Sequence, residues 1–146
     1  MKKLTTAICA IGLSMAMASC GTAKKATAQK GDINGEWSIT EVDGNAVDAS
    51  KSEKDVFMAF DVEGKKMHGC AGCNNIFGGI DVDTDKGTIS FANTASTRMM
   101  CADMKTEDSV LSALSKVKGF KFEKDGTLTL TSDGGKAEMK LKKRDK

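Results

Sequence analysis

The chain is short of several things that common functions require. It has a single histidine, so histidine-based nucleophilic catalysis would depend on His68, and no nucleophile-elbow motif accompanies it. No glycine-rich loop leads into a helix, which argues against a phosphate-binding loop. There are 22 basic and 20 acidic residues, and this balance argues against nucleic acid binding, which needs a strongly positive face. Proline and internal repeats are missing as well.

The N-terminal segment has the features of a secretory signal. Met1-Lys2-Lys3 is basic, Leu4 to Met17 is mainly apolar but too short to span a bilayer as a helix, and Ala18-Ser19 supplies small residues. The end of this segment, followed by Cys20, resembles the lipobox of bacterial lipoproteins, in which the cysteine is acylated and becomes the mature N-terminus. The alternative is an ordinary cleaved signal in which Cys20 is incidental.

We therefore expect residues 1–19 to be a lipoprotein signal peptide and residues 20–32 to be a lipidated cysteine and a flexible tether. The tether has no large apolar residue before Ile33, so it cannot bury a core. Loss of Lys2 and Lys3 with the signal takes the formal charge from +2 to zero. The predicted location is the bacterial cell envelope, as an outer-membrane lipoprotein facing the periplasm or the surface, with the membrane as one partner.

Short alternating segments dominate residues 33–141, which we expect to form one domain. The predicted strands lie at residues 35–40, 56–62, 65–69, 80–82, 87–91, 120–122, 128–130 and 137–141. Asp125-Gly126 predicts a tight hairpin between two of them, because glycine accepts a positive φ angle. Residues 45–55 are polar and give no clear prediction, and residues 142–146 read as a basic tail.

One helix is predicted between the strands. Thr106 is a candidate N-cap, and the next two acidic residues suit a first turn. Apolar residues at 110, 111, 114 and 117 share one face, and Gly119 is the expected end. The predicted fold is thus mainly β (β-rich α+β): an antiparallel sheet curled into a small barrel-like fold with one packed amphipathic helix.

These segments resemble the META-domain family, also called HslJ-like. The resemblance rests on Gly35-x-Trp37, on Gly72-Cys73-Asn74 with Gly78, and on the Thr97-Arg98-Met99-Met100-Cys101 segment, followed by a helix and a hairpin. It implies a small barrel-like β fold with a helix, a place in the cell envelope, a link to stress tolerance, and no established enzymatic activity. Cys70 departs from the family pattern.

Three thiols remain once Cys9 leaves with the signal and Cys20 is acylated. An exported domain meets an oxidising compartment, so one pair and one leftover thiol are expected. Chain entropy gives about 3–4 kcal/mol for a bridge from either Cys73 or Cys70 to Cys101, so energetics cannot choose between them. The family resemblance implies Cys73–Cys101.

Two other uses of the thiols stay open. His68, Cys70, Cys73 and Cys101 form a plausible zinc set, although we predict neither a metal nor a cofactor. Cys70-Ala71-Gly72-Cys73 has the spacing of a redox Cys-x-x-Cys motif. Its surroundings, however, predict a loop between strands and not a helix N-terminus, where the first thiol of such a motif is activated. Asn74 and Arg98 lie in the two family motifs, and we expect them to face each other across the bridge. They are candidate binding residues, but loop architecture is the preferred interpretation, because asparagine tolerates tight turns and arginine can satisfy loop carbonyls.

The leading hypothesis is a lipid-anchored envelope protein without enzymatic activity, which acts in stress tolerance or as an interaction module with an unknown envelope protein partner. The alternative is a small-ligand or metal carrier that uses the cluster of Cys70, Cys73 and Cys101. A thiol-disulfide enzyme is a third hypothesis.

Overall fold

The structure is a computed structural model that describes residues 31–145. The predicted signal peptide and Cys20 lie outside this range, as does most of the tether. The strands are β1 (Gly35–Val42), β2 (Asn45–Ala46), β3 (Val56–Asp61), β4 (Lys66–Ala71), β5 (Asn75–Asp83), β6 (Thr88–Ser96), β7 (Val117–Phe122), β8 (Leu128–Ser132) and β9 (Ala137–Lys143). The helix α1 spans Lys105–Lys116, and Ala49–Lys51 and Asp133–Gly135 form short 3₁₀ turns.

Eight strands close into an antiparallel barrel. The order is β1-β3-β4-β5-β6-β7-β8-β9, and β9 pairs with β1 to complete the circle. The two-residue strand β2 pairs only with the end of β1 among the described residues, so it forms a small flap beside the barrel. The prediction of a mainly β, barrel-like fold with one helix is confirmed.

Alternation along the strands fills the barrel with apolar side chains. Trp37 and Ile39 point inward from β1, and Leu128 and Leu130 point inward from β8. The indole Nε1 of Trp37 donates to the carbonyl oxygen of Ile33 at 2.8 Å, so the large ring is buried without an orphaned donor. A fully buried leucine or isoleucine side chain contributes about 1.5–3 kcal/mol of transfer free energy.

The helix differs from its prediction at both ends. It begins at Lys105, preceded by Met104, whose side chain makes no capping bond. Nearby, the Asp103 carboxylate accepts from the backbone N–H of Lys105 at 2.9 Å, so Thr106 is not the N-cap. The helix ends at Lys116, and Val117 is the first residue of β7 and not part of the apolar helix face.

Gly119 lies inside β7, so the prediction that it ends the helix is wrong. A Cβ atom at Gly119 would lie 3.0 Å from the Thr131 hydroxyl oxygen and 3.1 Å from the carbonyl oxygen of Gly87. Both distances are tighter than ordinary van der Waals contact, because the neighbouring strands approach closely at this position. Cross-strand pairing of β7 with β8 takes Val117 out of the helix.

Strands β5 and β6 are longer than predicted. A β-bulge interrupts their pairing near Gly78, and Asn93 in β6 has φ of +51°. A Cβ atom at Gly78 would lie 3.1 Å from the carbonyl oxygen of Ala92, so glycine here permits close approach inside a strand. Strand β9 also runs to Lys143, beyond the predicted end of the domain at Leu141.

The contact between β6 and β7 is the thinnest in the barrel. Within residues 31–145, only Thr88 and Gly119 form a ladder pair between these strands, and the backbone N–H of Phe120 donates to the carbonyl oxygen of Gly87 at 2.8 Å. Before Val117 the chain is helical, so it offers no strand to the rest of β6. We call this place the seam.

Candidate functional site

The structure joins Cys73 to Cys101 by a disulfide bond, with Cα atoms 6.0 Å apart. This is the pairing that the family resemblance implied. Cys73 belongs to the turn between β4 and β5, which is closed by a 3.0 Å bond from the Ala71 N–H to the Asn74 carbonyl oxygen. The bridge therefore ties that turn to the segment between β6 and α1.

Asn74 is completely buried beside the bridge, with 1% of its surface exposed. Its side-chain oxygen accepts from the Met99 backbone N–H and from the Thr97 hydroxyl, both at 2.7 Å. Its side-chain nitrogen donates to the Met99 carbonyl oxygen at 3.0 Å and to the Glu107 carboxylate at 3.0 Å. Every hydrogen-bonding group of this amide is thus used within the protein.

Glu107 is the buried acidic partner of Asn74, with 4% of its surface exposed. Its carboxylate accepts a second bond at 2.9 Å from the backbone N–H of Asn74. It is the third residue of α1, where the positive end of the helix dipole favours a negative charge. Together these donors offset the cost of removing a carboxylate from water.

Sequence reasoning gave Glu107 only a place in the first helical turn and missed its contact with Asn74. A signal was present in the spacing, because Glu107 lies three and seven residues before Val110 and Leu114, which are buried with it. An acidic residue on the apolar face of a helix indicates a buried partner. We call Cys73, Asn74, Thr97, Met99, Cys101 and Glu107 the loop anchor.

The prediction that Arg98 faces Asn74 is wrong. Arg98 is exposed to solvent. The neighbours on either side of it make the contacts with Asn74, through the Thr97 hydroxyl and the Met99 backbone N–H. Within residues 31–145, the Arg98 side chain is not among the hydrogen-bond partners of Asn74. Arg98 is therefore available at the surface and takes no part in the loop anchor.

The anchored segment presents two methionines to solvent. Met99 is 52% exposed and Met100 is 93% exposed, while the backbone of Met99 is held by Asn74 on both its N–H and its C=O. The Lys54 ammonium lies 3.7 Å from the Met99 sulfur. Large apolar side chains on an ordered loop are typical of interaction surfaces.

Cys70 is the free cysteine of the described chain and is buried in β4. It pairs with Phe57 of β3 and Asn75 of β5, in the interior of the sheet and not at a helix N-terminus. Because Cys73 is bonded to Cys101, Cys70 and Cys73 do not form a redox pair in this structure. The strand setting of Cys70 does not supply the helix N-terminus that activates the first thiol of a redox motif.

The structure does not bring the four possible zinc ligands together as free ligands. Two of the three thiolates are consumed by the disulfide, and His68 is exposed on the outer face of β4, edge-on to the Phe57 ring at 6.5 Å. Within residues 31–145, no three histidine, cysteine, aspartate or glutamate side chains are grouped to hold a metal ion. The closed bridge and the zinc set are mutually exclusive.

A second charged group ties the end of α1 to the barrel. Glu138 in β9 is 2% exposed, and the ammonium groups of Lys136 and Lys116 lie 3.5 and 3.9 Å from its carboxylate. The same two lysines reach Asp43 at 2.9 and 3.4 Å. The hydrogen bond from Lys136 holds the pKa of the Asp43 carboxyl below its usual range. These contacts pair opposite charges around a helix end, which is a structural role.

Two grooves lie on the outside of the filled barrel. One, of about 670 Å³, is lined by polar residues of the β1–β2 turn and the start of α1. The other, of about 440 Å³, lies between β6 and α1 beside the seam and is lined by both apolar and polar side chains. We call the second one the seam groove. In the part of the chain that the structure describes, no helix is long and apolar enough to cross a membrane.

Comparison with known proteins gives a family match and three similar folds. A family model described as the META domain matches residues 29–145. No curated protein matches the chain. The NMR structure of a protein from Burkholderia xenovorans is 21% identical, with a TM-score of 0.60, and the alignment covers 78% of this chain and 85% of that one.

Two further structures have the same fold. A second NMR structure is 21% identical, with a TM-score of 0.55 and coverage of 75% of this chain and 89% of its own. The crystal structure of a DUF4847 family protein from Bacteroides vulgatus is 13% identical, with a TM-score of 0.51 and coverage of 77% and 96%. At these identities the likeness extends to the fold alone.

Proposed function

This chain belongs to the META-domain family, and we propose that it is a lipid-anchored protein of the bacterial cell envelope that works as a non-enzymatic interaction module. The observation that supports the interaction role is the loop anchor. The motif residues Asn74, Cys73 and Cys101 are used to hold a loop in place, and no group among these three is left to act on a substrate.

The loop held in this way supports an interaction role. Binding is tighter when a surface is ordered beforehand, because less conformational entropy is lost on association. Met99 and Met100 are exposed on that ordered loop, and Arg98 beside them is exposed as well. Methionine and arginine are both enriched where proteins bind one another.

The lipid anchor is supported by the sequence around Cys20. Small residues precede this cysteine, and the segment from Gly21 to Lys30 carries no large apolar side chain. Such a segment behaves as a tether between a membrane and a folded domain. More than one acyl chain on Cys20 gives stable attachment. The family resemblance also supports a role in stress tolerance.

The anchor is tested by expressing the full chain in a Gram-negative host beside a Cys20→Ala variant. We expect the mature wild-type protein to begin at Cys20, to carry acyl chains in its N-terminal peptide mass, and to fractionate with the outer membrane. The variant should lack the acyl mass. An unmodified wild-type protein released as a free periplasmic species would contradict the lipid anchor.

The interaction role is tested by placing a photo-crosslinking amino acid at Met100 in the living cell. Lys124, exposed in the β7–β8 turn, is the matched control position. We expect a discrete crosslinked product from position 100 that position 124 does not give. Identical patterns, or no product at either position, would argue against an interaction surface at the anchored loop.

A further inference from the structure

Strand β6 has an open edge over most of its length. From Thr88 to Ser96 it pairs with β5 along one side. On its other side the only ladder pair among residues 31–145 is Thr88 with Gly119. From Phe91 onward, therefore, the backbone N–H and C=O groups on that side have no neighbouring strand in the described chain. An edge of this kind is a template for another extended chain.

The seam groove lies directly beside this edge. Phe91, Thr94 and Ser96 line it from β6, and Leu111, Leu114 and Val117 line it from the helix and the start of β7. Its volume of about 440 Å³ is within the range of about 300–1,000 Å³ that ligand sites in proteins usually have. A chain lying along β6 would place alternate side chains into this groove, where Phe91 and Leu111 offer apolar contacts among hydroxyl groups.

The charge on the groove lining is positive among the described residues. Lys118 is exposed, and it is the charged side chain among the described residues that line the groove. An acidic side chain would be attracted to this end of the groove, whereas a lysine or arginine would be repelled. The groove thus favours an occupant that is apolar at alternate positions and acidic close to Lys118.

The loop anchor fixes one end of the open edge. Thr97 follows β6 directly, its backbone N–H donates to the Asn75 carbonyl oxygen at 3.0 Å, and its hydroxyl is bonded to Asn74. The irregularity near Asn93 bends the edge, and bulges discourage indiscriminate edge-to-edge pairing. The edge is therefore ordered, and the groove side chains decide what binds beside it.

We propose that an extended peptide segment of a partner protein adds as a strand to the β6 edge, with apolar side chains in the seam groove and an acidic side chain beside Lys118. The inference rests on the proposed interaction role and gives it a surface and a partner chemistry. This protein's own tether is unsuited as the occupant, because residues 21–30 contain no large apolar side chain and no acidic residue.

The experiment uses the full-length lipoprotein in detergent micelles and fluorescein-labelled eight-residue peptides. The probe peptides alternate valine or leucine with threonine and carry one aspartate. The control peptides have the same composition but are N-methylated at alternate amides, which removes the donors needed for strand pairing. Fluorescence anisotropy measures binding, and hydrogen exchange with mass spectrometry maps it.

We expect binding of the unmethylated peptide, with slowed exchange at residues 91–96, and at least a tenfold loss of affinity on methylation. Leu111→Lys should weaken binding at least tenfold, and Lys118→Glu should weaken it severalfold. Unchanged exchange in β3 and β8 will show that both variants are folded. Retained binding by Leu111→Lys, or binding without protection of residues 91–96, would overturn the proposal.

Two other results would also overturn it. If residues 91–96 become protected as protein concentration rises without peptide, a second copy of the chain is the occupant. If no peptide binds, the edge is not a peptide site. In either case, a specific crosslink from Met100 would show that the interaction role stands by itself and that only the β6 surface was wrong.

Discussion

The loop anchor and the seam differ in how many contacts hold the chain together. At the loop anchor, Asn74 uses all its hydrogen-bonding groups and a disulfide adds a covalent tie. At the seam, one ladder pair joins two strands of the described chain and an edge is left open. The motif residues Cys73, Asn74 and Cys101 fix a loop, whereas the seam leaves one side of β6 without a paired strand in the described chain.

The largest expected effect concerns the covalent part of the loop anchor. Replacing both Cys73 and Cys101 by alanine should lower the free energy of unfolding by about 3–4 kcal/mol, because the unfolded chain regains the entropy of an open loop. Urea unfolding followed by tryptophan fluorescence measures this through Trp37. Cys70→Ala is the matched control and should cost clearly less. Equal losses would mean that the bridge contributes little.

The second effect isolates the hydrogen bonds of the loop anchor. Asn74→Ala should cost about 2–3 kcal/mol, since it removes partners from the buried Glu107 carboxylate and from both backbone groups of Met99. Asn75→Ala, in the exposed neighbouring residue, should stay within about 0.5 kcal/mol. If the two variants were equally stable, the side chain of Asn74 would not be what holds the loop.

A smaller effect tests how closely the strands approach at the seam. Gly119→Ala should cost about 1–2 kcal/mol, because the added methyl group would crowd Thr131 and Gly87. The control is Gly79→Ala, where the nearest atom would lie 3.6 Å away, and little change is expected. Thermal unfolding of both variants provides the measurement. A neutral Gly119→Ala would show that the seam is looser than the structure indicates.

Much of the fold could be predicted from the sequence, for physical reasons. Alternation along β1 predicts its buried face, and Asp125-Gly126 predicts the tight turn between β7 and β8. The helix end could not be predicted, because Val117 and Gly119 fit a helix C-terminus locally and only pairing with β8 places them in a strand. Local sequence says nothing about such a distant partner.

The candidate site was predicted less completely. Loop architecture was the preferred interpretation of Asn74, but its partners Met99 and Glu107, which are 25 and 33 positions away in the chain, were not predicted. The prediction that Arg98 faces Asn74 was wrong because Asn74 is held by the Thr97 hydroxyl and the Met99 backbone, while Arg98 is exposed. Glu107 was missed because a first-turn acidic residue already has a local explanation in the helix dipole.

The smallest effect concerns charge and pH. The Lys136 hydrogen bond lowers the pKa of Asp43 below its ordinary value of 3.8. The pair therefore stabilises the fold above that value, and its contribution is lost as the pH falls through the lower folded pKa. Asp43→Asn should be less stable than wild type at pH 7, and urea unfolding across a pH series should show this difference shrinking below pH 3.8. A difference that stays constant down to about pH 2 would contradict the assignment.

The most direct test of the central claim is a double-mutant cycle of Asn74→Ala and Glu107→Ala in the full chain, measured by urea unfolding. If these residues act as one unit that fixes the loop, we expect a coupling energy of about 0.5–3 kcal/mol, the range for residues in one buried network. Additive effects, with coupling near zero, would show that the two residues act independently and that the loop anchor is not a unit.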